Sequence, residues 1–182
     1  MKLVKFTFVL VVCSYLLGCA SGAKMENMVF HGDQKEYSGE IQENMGLGEV
    51  SGGKKTNPAW TSEIDNEAFS GAVKESLISQ GLYSANGKYR LEVSMLKVDQ
   101  PIFGLDLEVT TYVRYILTSV DSGAVVFDET VIAPYTAGVG DAFVGVKRLR
   151  LANEGSAQKN IEGMLNKLSE LRIEPKEISL AK

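Results

Sequence analysis

"DLEVTTYVRYILTSVDSGAVVFDETVIAP", residues 106–134, decides the fold. Leu107, Val109, Val113, Tyr115 and Leu117 recur on one side of its first half, with Glu108, Thr110 and Arg114 on the other. Successive strand side chains point to opposite faces, so this alternation predicts a long strand with one buried face. Asp121-Ser122-Gly123 supplies turn chemistry, and "AVVFDETVIAP" resumes as a second strand closed by Pro134. Upstream, "KYRLEVSML", residues 88–96, alternates in the same way: Tyr89, Leu91, Val93 and Met95 face one side, Arg90, Glu92 and Ser94 the other. Three strands joined by short links form an antiparallel meander.

The segments flanking the meander supply its cover. Thr61 or Ser62 is a candidate N-cap, and Ile64, Ala68, Ala72 or Val73, Leu77 and Leu82 recur near the 3.6 period up to Gly81. A second helix runs from about Val144 to Leu171, its stripe marked by Leu149, Ala152, Ala157, Ile161, Met164, Leu168 and Leu171. Gly155 and Gly163 lie within it, each a candidate for close approach to the sheet. "GLGEVSGG", residues 46–53, is a short strand between breakers. The expected class is a two-layer α/β (α+β) domain over 46–173, in the order β-α-β-β-β-α. It has a four-stranded, mostly antiparallel sheet with two helices on one face.

The N-terminus reads differently. Lys2 and Lys5 form a basic start, and "FTFVLVVCSYLLG", residues 6–18, is uncharged. That run is shorter than the roughly 20 residues of a membrane-spanning helix and fits a secretory signal over 1–18. Ala20 to Met45 is polar, glycine-containing and aperiodic. It reads as a flexible stalk of 19–45, reaching about 25–30 Å as a random coil. Residues 174–182 read as a frayed tail.

Composition narrows the chemistry. Removing Lys2 and Lys5 from the 19 basic residues leaves 17 against 23 acidic ones, a net charge of −6. That balance argues against nucleic acid as a partner. The cysteines are Cys13, inside the signal, and Cys19, and the single histidine is His31 in the stalk. A zinc site or a histidine-based triad cannot be assembled from that inventory, so no metal, catalytic residue or cofactor is expected. Asp106 with Glu108, or Asp128 with Glu129, could pair as acid and base, but their positions match solvent faces and turn edges. Gly138, Gly140 and Gly145 fail as a dinucleotide fingerprint, because Phe143 stands where the third glycine is required. Lys147, Arg150 and Glu154 share one side of the last helix at i, i+3, i+4 spacing and read chiefly as a solvated charged face.

Topology brings three loops together. Pro58-Ala59-Trp60, "DQPIFGL" (99–105) and "YTAGVGDAFVG" (135–145) all fall at the end where the first helix begins, called the top here. Trp60, Ile102, Phe103 and Phe143 therefore converge there, either as a partner-binding surface or as caps over the core. If the strand at 46–53 runs parallel to its neighbour, the stalk enters at the opposite end, which is then membrane-proximal.

Leu16-Leu17-Gly18-Cys19 resembles the lipobox of bacterial lipoproteins. The resemblance implies cleavage before Cys19, a diacylglyceryl thioether and an N-acyl chain (typically palmitate) on that cysteine. Ala20 and Ser21 in place of an aspartate imply sorting to the outer membrane, facing the periplasm. "AFSGAVKESLISQGL", "YRLEVSML" and "RLANEGSAQKNIEGML" resemble small Gram-negative envelope lipoproteins, some of which carry the label UDP-N-acetylglucosamine acyltransferase. Those acyltransferases are hexapeptide-repeat β-helices with a catalytic histidine, and neither feature is present here. The expected function is a non-catalytic interaction or assembly module, held to the membrane by its lipid and meeting an unidentified envelope or periplasmic protein. The alternatives are a lipid-handling or transport-auxiliary lipoprotein, or an envelope acyltransferase.

Overall fold

The computed structural model describes residues 20–57 and 61–173. The signal 1–18, Cys19, Trp60 and the tail 174–182 lie outside the described residues. The elements are α1 (Met25–Met28), β1 (Met45–Ser51), α2 (Asn66–Ser79), β2 (Tyr89–Asp99), β3 (Leu107–Ser119), β4 (Val125–Ala137) and α3 (Gly145–Glu170). Strand order is β1-β2-β3-β4. β1 pairs in parallel with β2, while β2–β3 and β3–β4 are antiparallel, with Val93 opposite Tyr115 and Val113 opposite Val131. The sheet is thus mixed, mostly antiparallel, and both long helices pack on its one apolar face, as the alternating patterns predict.

Local chemistry sets the boundaries. Asp65, rather than Thr61 or Ser62, caps α2: its carboxylate accepts from the Ala68 N–H at 2.8 Å. Ser62 is instead buried and donates from Oγ to the Ser21 carbonyl. At the other end Gly81, at φ +67, lets the Leu82 N–H reach back to the Leu77 carbonyl, a left-handed helix stop that favours glycine. Gly155 and Gly163 allow α3 to lie against β4. A Cβ on Gly155 would fall on the Tyr135 ring, and one on Gly163 on the Val131 side chain.

Residues 20–44 differ most from the sequence expectation. They do not form a stalk. Ala23, Met28, Val29, Phe30, Tyr37 and Ile41 are buried in the same core as Phe69, Leu77, Leu91, Tyr115 and Ile161. The segment is an extended strap with one helical turn, laid along α2 and α3. The helices hold it by side chains: Ser76 Oγ accepts from the Phe30 N–H at 2.9 Å, Gln158 donates to the Val29 carbonyl at 2.8 Å, and Gln80 Oε1 accepts from the Lys35 N–H and the Tyr37 hydroxyl. The folded body therefore includes residues 20–44 and is not confined to 46–173.

A polar knot sits inside the apolar layer. Thr111, Ser156 and Asn160 are buried where the alternating patterns lead one to expect apolar contact. Tyr115 donates to Asn160 Oδ1 at 2.9 Å, Asn160 Nδ2 donates to the Val131 carbonyl at 2.9 Å, and Ser156 Oγ donates to the Ala133 carbonyl at 2.7 Å. Burial pushes the Tyr115 phenol well above the usual tyrosine range, and does the same to Tyr37. The sign follows from linkage: both phenols stay neutral in the folded state but ionise near pH 10 in the unfolded chain. Their contribution to stability is full below about pH 10 and is lost as pH rises further. Urea midpoints measured from pH 8 upward should fall beyond about pH 10, and fall less steeply in Tyr115→Phe. An equal slope in both proteins would show that the phenol does not govern the alkaline limb.

Candidate functional site

The top end of the domain gathers two of the three loops that sequence topology brought together, the third, 58–60, lying outside the described residues. β2 leaves at Asp99 into loop 100–106, β4 leaves at Ala137 into loop 138–144, and α2 and α3 both begin there. Ile102, Phe103 and Phe143 are 96%, 87% and 89% exposed, and Leu105, Val139 and Val144 are exposed beside them. They are not core caps. A separate small cluster of Leu107, Val109, Ala137, Leu149 and Ala152 fills the space beneath the loops without them.

Arg148 makes these two loops one surface. It is buried at the start of α3, and its guanidinium donates to the Ala142 and Phe143 carbonyls at 2.9 and 2.7 Å and to the Gly104 carbonyl at 3.3 Å. A cation near a helix N-terminus is disfavoured by the dipole, so its position reflects the three loop carbonyls it satisfies. Arg148→Met should cost about 1–3 kcal/mol for the buried carbonyls left without donors. It should also speed proteolysis within 100–106 and 138–144. Unchanged cleavage there would show that the loops are held by other means.

The strap starts at this same end, which overturns the expected polarity. β1 is parallel to β2 as foreseen, so the chain enters β1 at the far end, but residues 20–44 run the whole length of the helices to reach it. Ser21 is fixed at the top by Ser62 Oγ (2.8 Å to its carbonyl) and by Arg150 (2.7 Å to its hydroxyl), while the Ala23 N–H donates to the Glu63 carbonyl. Ser62 is tied in turn to the loop after β2 and to α3: its carbonyl accepts from Gln100 Nε2 at 3.1 Å and from Asn153 Nδ2 at 2.8 Å.

Glu154 completes that anchorage, and the reading of its helix side as solvated fails. It is only 2% exposed. Its two carboxylate oxygens accept from the Lys24 N–H and from Asn27 Nδ2, each at 2.9 Å, with Arg150 Nε at 3.4 Å as counter-charge. Sequence reasoning singled out Arg150 and Glu154 but could not see that their partners lie some 130 residues upstream; Lys147 is exposed.

Of the two carboxylate pairs, Asp128 and Glu129 are both held by cations. Asp128 receives a bidentate contact from Arg114, which holds its carboxyl below the usual range, and Glu129 pairs with Lys167 at 2.9 Å. Glu108 is exposed and accepts from Thr136, and Asp106 is exposed. His31 is exposed on the strap. Among the described residues, no group of His, Cys, Asp and Glu side chains could hold a metal ion, and no helix is long and apolar enough to cross a membrane. An open depression of about 320 Å³ beside Asn27, Tyr135, Asp141, Glu154 and Gln158 has a mixed polar and apolar lining.

No family model matches the chain, and no curated protein matches it in sequence. Its fold is similar to that of solved structures. A Xanthomonas campestris protein of the family DUF330 aligns with a TM-score of 0.59 at 9% identity, over 84% of this chain and 94% of its own. A candidate lipoprotein from Caulobacter crescentus aligns with a TM-score of 0.50 at 12% identity, over 71% of this chain and 91% of its own. At these identities the likeness is one of fold.

Proposed function

We propose that this chain is an outer-membrane lipoprotein, lipid-anchored through Cys19, whose domain serves as a non-catalytic module in the periplasm. One observation carries the reading: an uncharged run, residues 6–18, follows the basic Lys2 and Lys5 and ends at a cysteine. A secretory signal followed by Leu16-Leu17-Gly18-Cys19 gives that cysteine a chemical role as the thioether site. Acyl chains at ~0.8 kcal/mol per buried CH₂ make such an anchor stable. The fold likeness to a candidate lipoprotein is consistent with this placement. Asp128 and Glu129, one of the two carboxylate pairs that could have served as acid and base, are held in ion pairs on the sheet, which is consistent with the non-catalytic half of the reading.

Metabolic labelling with an alkyne palmitate, followed by membrane fractionation, tests the anchor. Wild-type protein is expected to take up label and float with outer-membrane markers, and Cys19→Ser to lose both. Label retained in Cys19→Ser, or wild-type protein recovered in the soluble fraction, would overturn the assignment.

A further inference from the structure

We propose that the apolar tips of loops 100–106 and 138–144 insert into the phospholipid bilayer beside the anchor, fixing the domain with its top end against the membrane. This deepens the anchoring reading and rests on it. The described residues leave the anchor no leash. Consecutive Cα atoms lie about 3.8 Å apart, so a lipidated Cys19 sits one residue from Ala20, which is buried. Ser21 cannot swing away, because Ser62 and Arg150 hold both its carbonyl and its hydroxyl. The strap beyond it is pinned by Glu154, Gln158 and Ser76 along the helices. Acyl chains on Cys19 therefore leave the molecule at the top, and the bilayer must lie there.

The same end presents Ile102, Phe103, Leu105, Phe143 and Val144 to the outside. They stand on two loop tips rather than lining a groove, the form suited to a soft apolar phase rather than a complementary protein ridge. Interfacial apolar groups sink about 5–10 Å into the headgroup and acyl boundary. Arg148 holds the two loops together from inside, so they enter as one rigid edge. Ile102, Phe103 and Phe143, expected from sequence to bind a partner, then face lipid. The end carrying turn 121–123 faces the periplasm.

Single-cysteine variants make the test clean, because Cys13 leaves with the signal and the thiol of Cys19 is consumed by lipid. Full-length protein carrying Phe103→Cys, Phe143→Cys or Ser122→Cys is purified from membranes, labelled with a polarity-sensitive fluorophore and reconstituted into phosphatidylethanolamine–phosphatidylglycerol vesicles. Far-ultraviolet circular dichroism confirms that each variant is folded. All three are expected to float with the vesicles. The labels at 103 and 143 should shift to the blue and be quenched by nitroxide lipids, while the label at 122 stays aqueous. Flotation with aqueous labels at 103 and 143 overturns the insertion and leaves the anchor standing, the result a protein-binding top end would give. Failure to float overturns the anchor and the insertion together.

Discussion

A chain begun at Met45, where β1 starts, is expected to lose the cooperative unfolding transition that a chain begun at Ala20 retains. Residues 20–44 look dispensable by composition, yet they contribute Met28 and Ile41 to the core with no exposed surface, and Val29, Phe30 and Tyr37 nearly so. Removing them opens the faces of α2 and α3 that they cover. It also strands Ser76, Gln80 and Glu154, buried side chains whose partners lie in the strap. Losing core contacts and polar partners together belongs with the changes that cost more than about 4–5 kcal/mol, a large share of the roughly 5–15 kcal/mol a domain holds. Ile41→Ala, which removes one strap side chain and keeps the rest, should cost about 2–5 kcal/mol. Thermal melts followed by circular dichroism separate the outcomes. A Met45-start chain with an unchanged midpoint would show that the strap is an accessory layer.

The contrast between strap and meander explains what was legible. Strands in a one-sided sheet must alternate, so Leu107 to Leu117 and Tyr89 to Met95 announce themselves at period two. The two helices announce themselves at period 3.6. The strap buries Ala23, Met28, Val29, Phe30, Tyr37 and Ile41, a spacing with neither period, because an extended chain on a helical surface turns whichever side chain meets the next groove. Its backbone is satisfied largely by side chains distant in sequence, which a local reading cannot find.

The candidate site divides along the same line. Strand directions alone place loops 100–106 and 138–144 at one end, and Ile102, Phe103 and Phe143 are conspicuous as apolar residues among glycines and polar residues. Which end residues 20–24 occupy was not legible, because it depends on the route of the strap. Nor was the role of Arg148, whose position within "KRLRL" looks like any other surface cation until Gly104 is brought beside it.

Asn160→Leu is the second large effect, and its pairing with Tyr115→Phe makes it diagnostic. Asn160 reads as a polar interruption on the buried side of α3, yet it ties that helix to two strands: to the Tyr115 hydroxyl and the Thr111 carbonyl of β3, and to the Val131 carbonyl of β4. Replacing it by leucine keeps the volume and removes every one of those contacts. The Tyr115 hydroxyl, fully buried, is then left without its acceptor, a penalty of about 1–3 kcal/mol. Lost donors to Thr111 and Val131 bring the expected total to roughly 2–4 kcal/mol. Tyr115→Phe alone should cost about 1–3 kcal/mol, since it leaves Asn160 Oδ1 unpaired. The double variant removes the stranded hydroxyl together with its acceptor, and exchanging both partners for apolar groups is close to neutral. Tyr115→Phe/Asn160→Leu is therefore expected to be more stable than Asn160→Leu alone. Urea midpoints of the wild type, the two single variants and the double variant form the cycle that reads this coupling. Strictly additive costs would mean that the hydroxyl finds another acceptor when Asn160 is gone, and that the knot is three separate bonds rather than one unit.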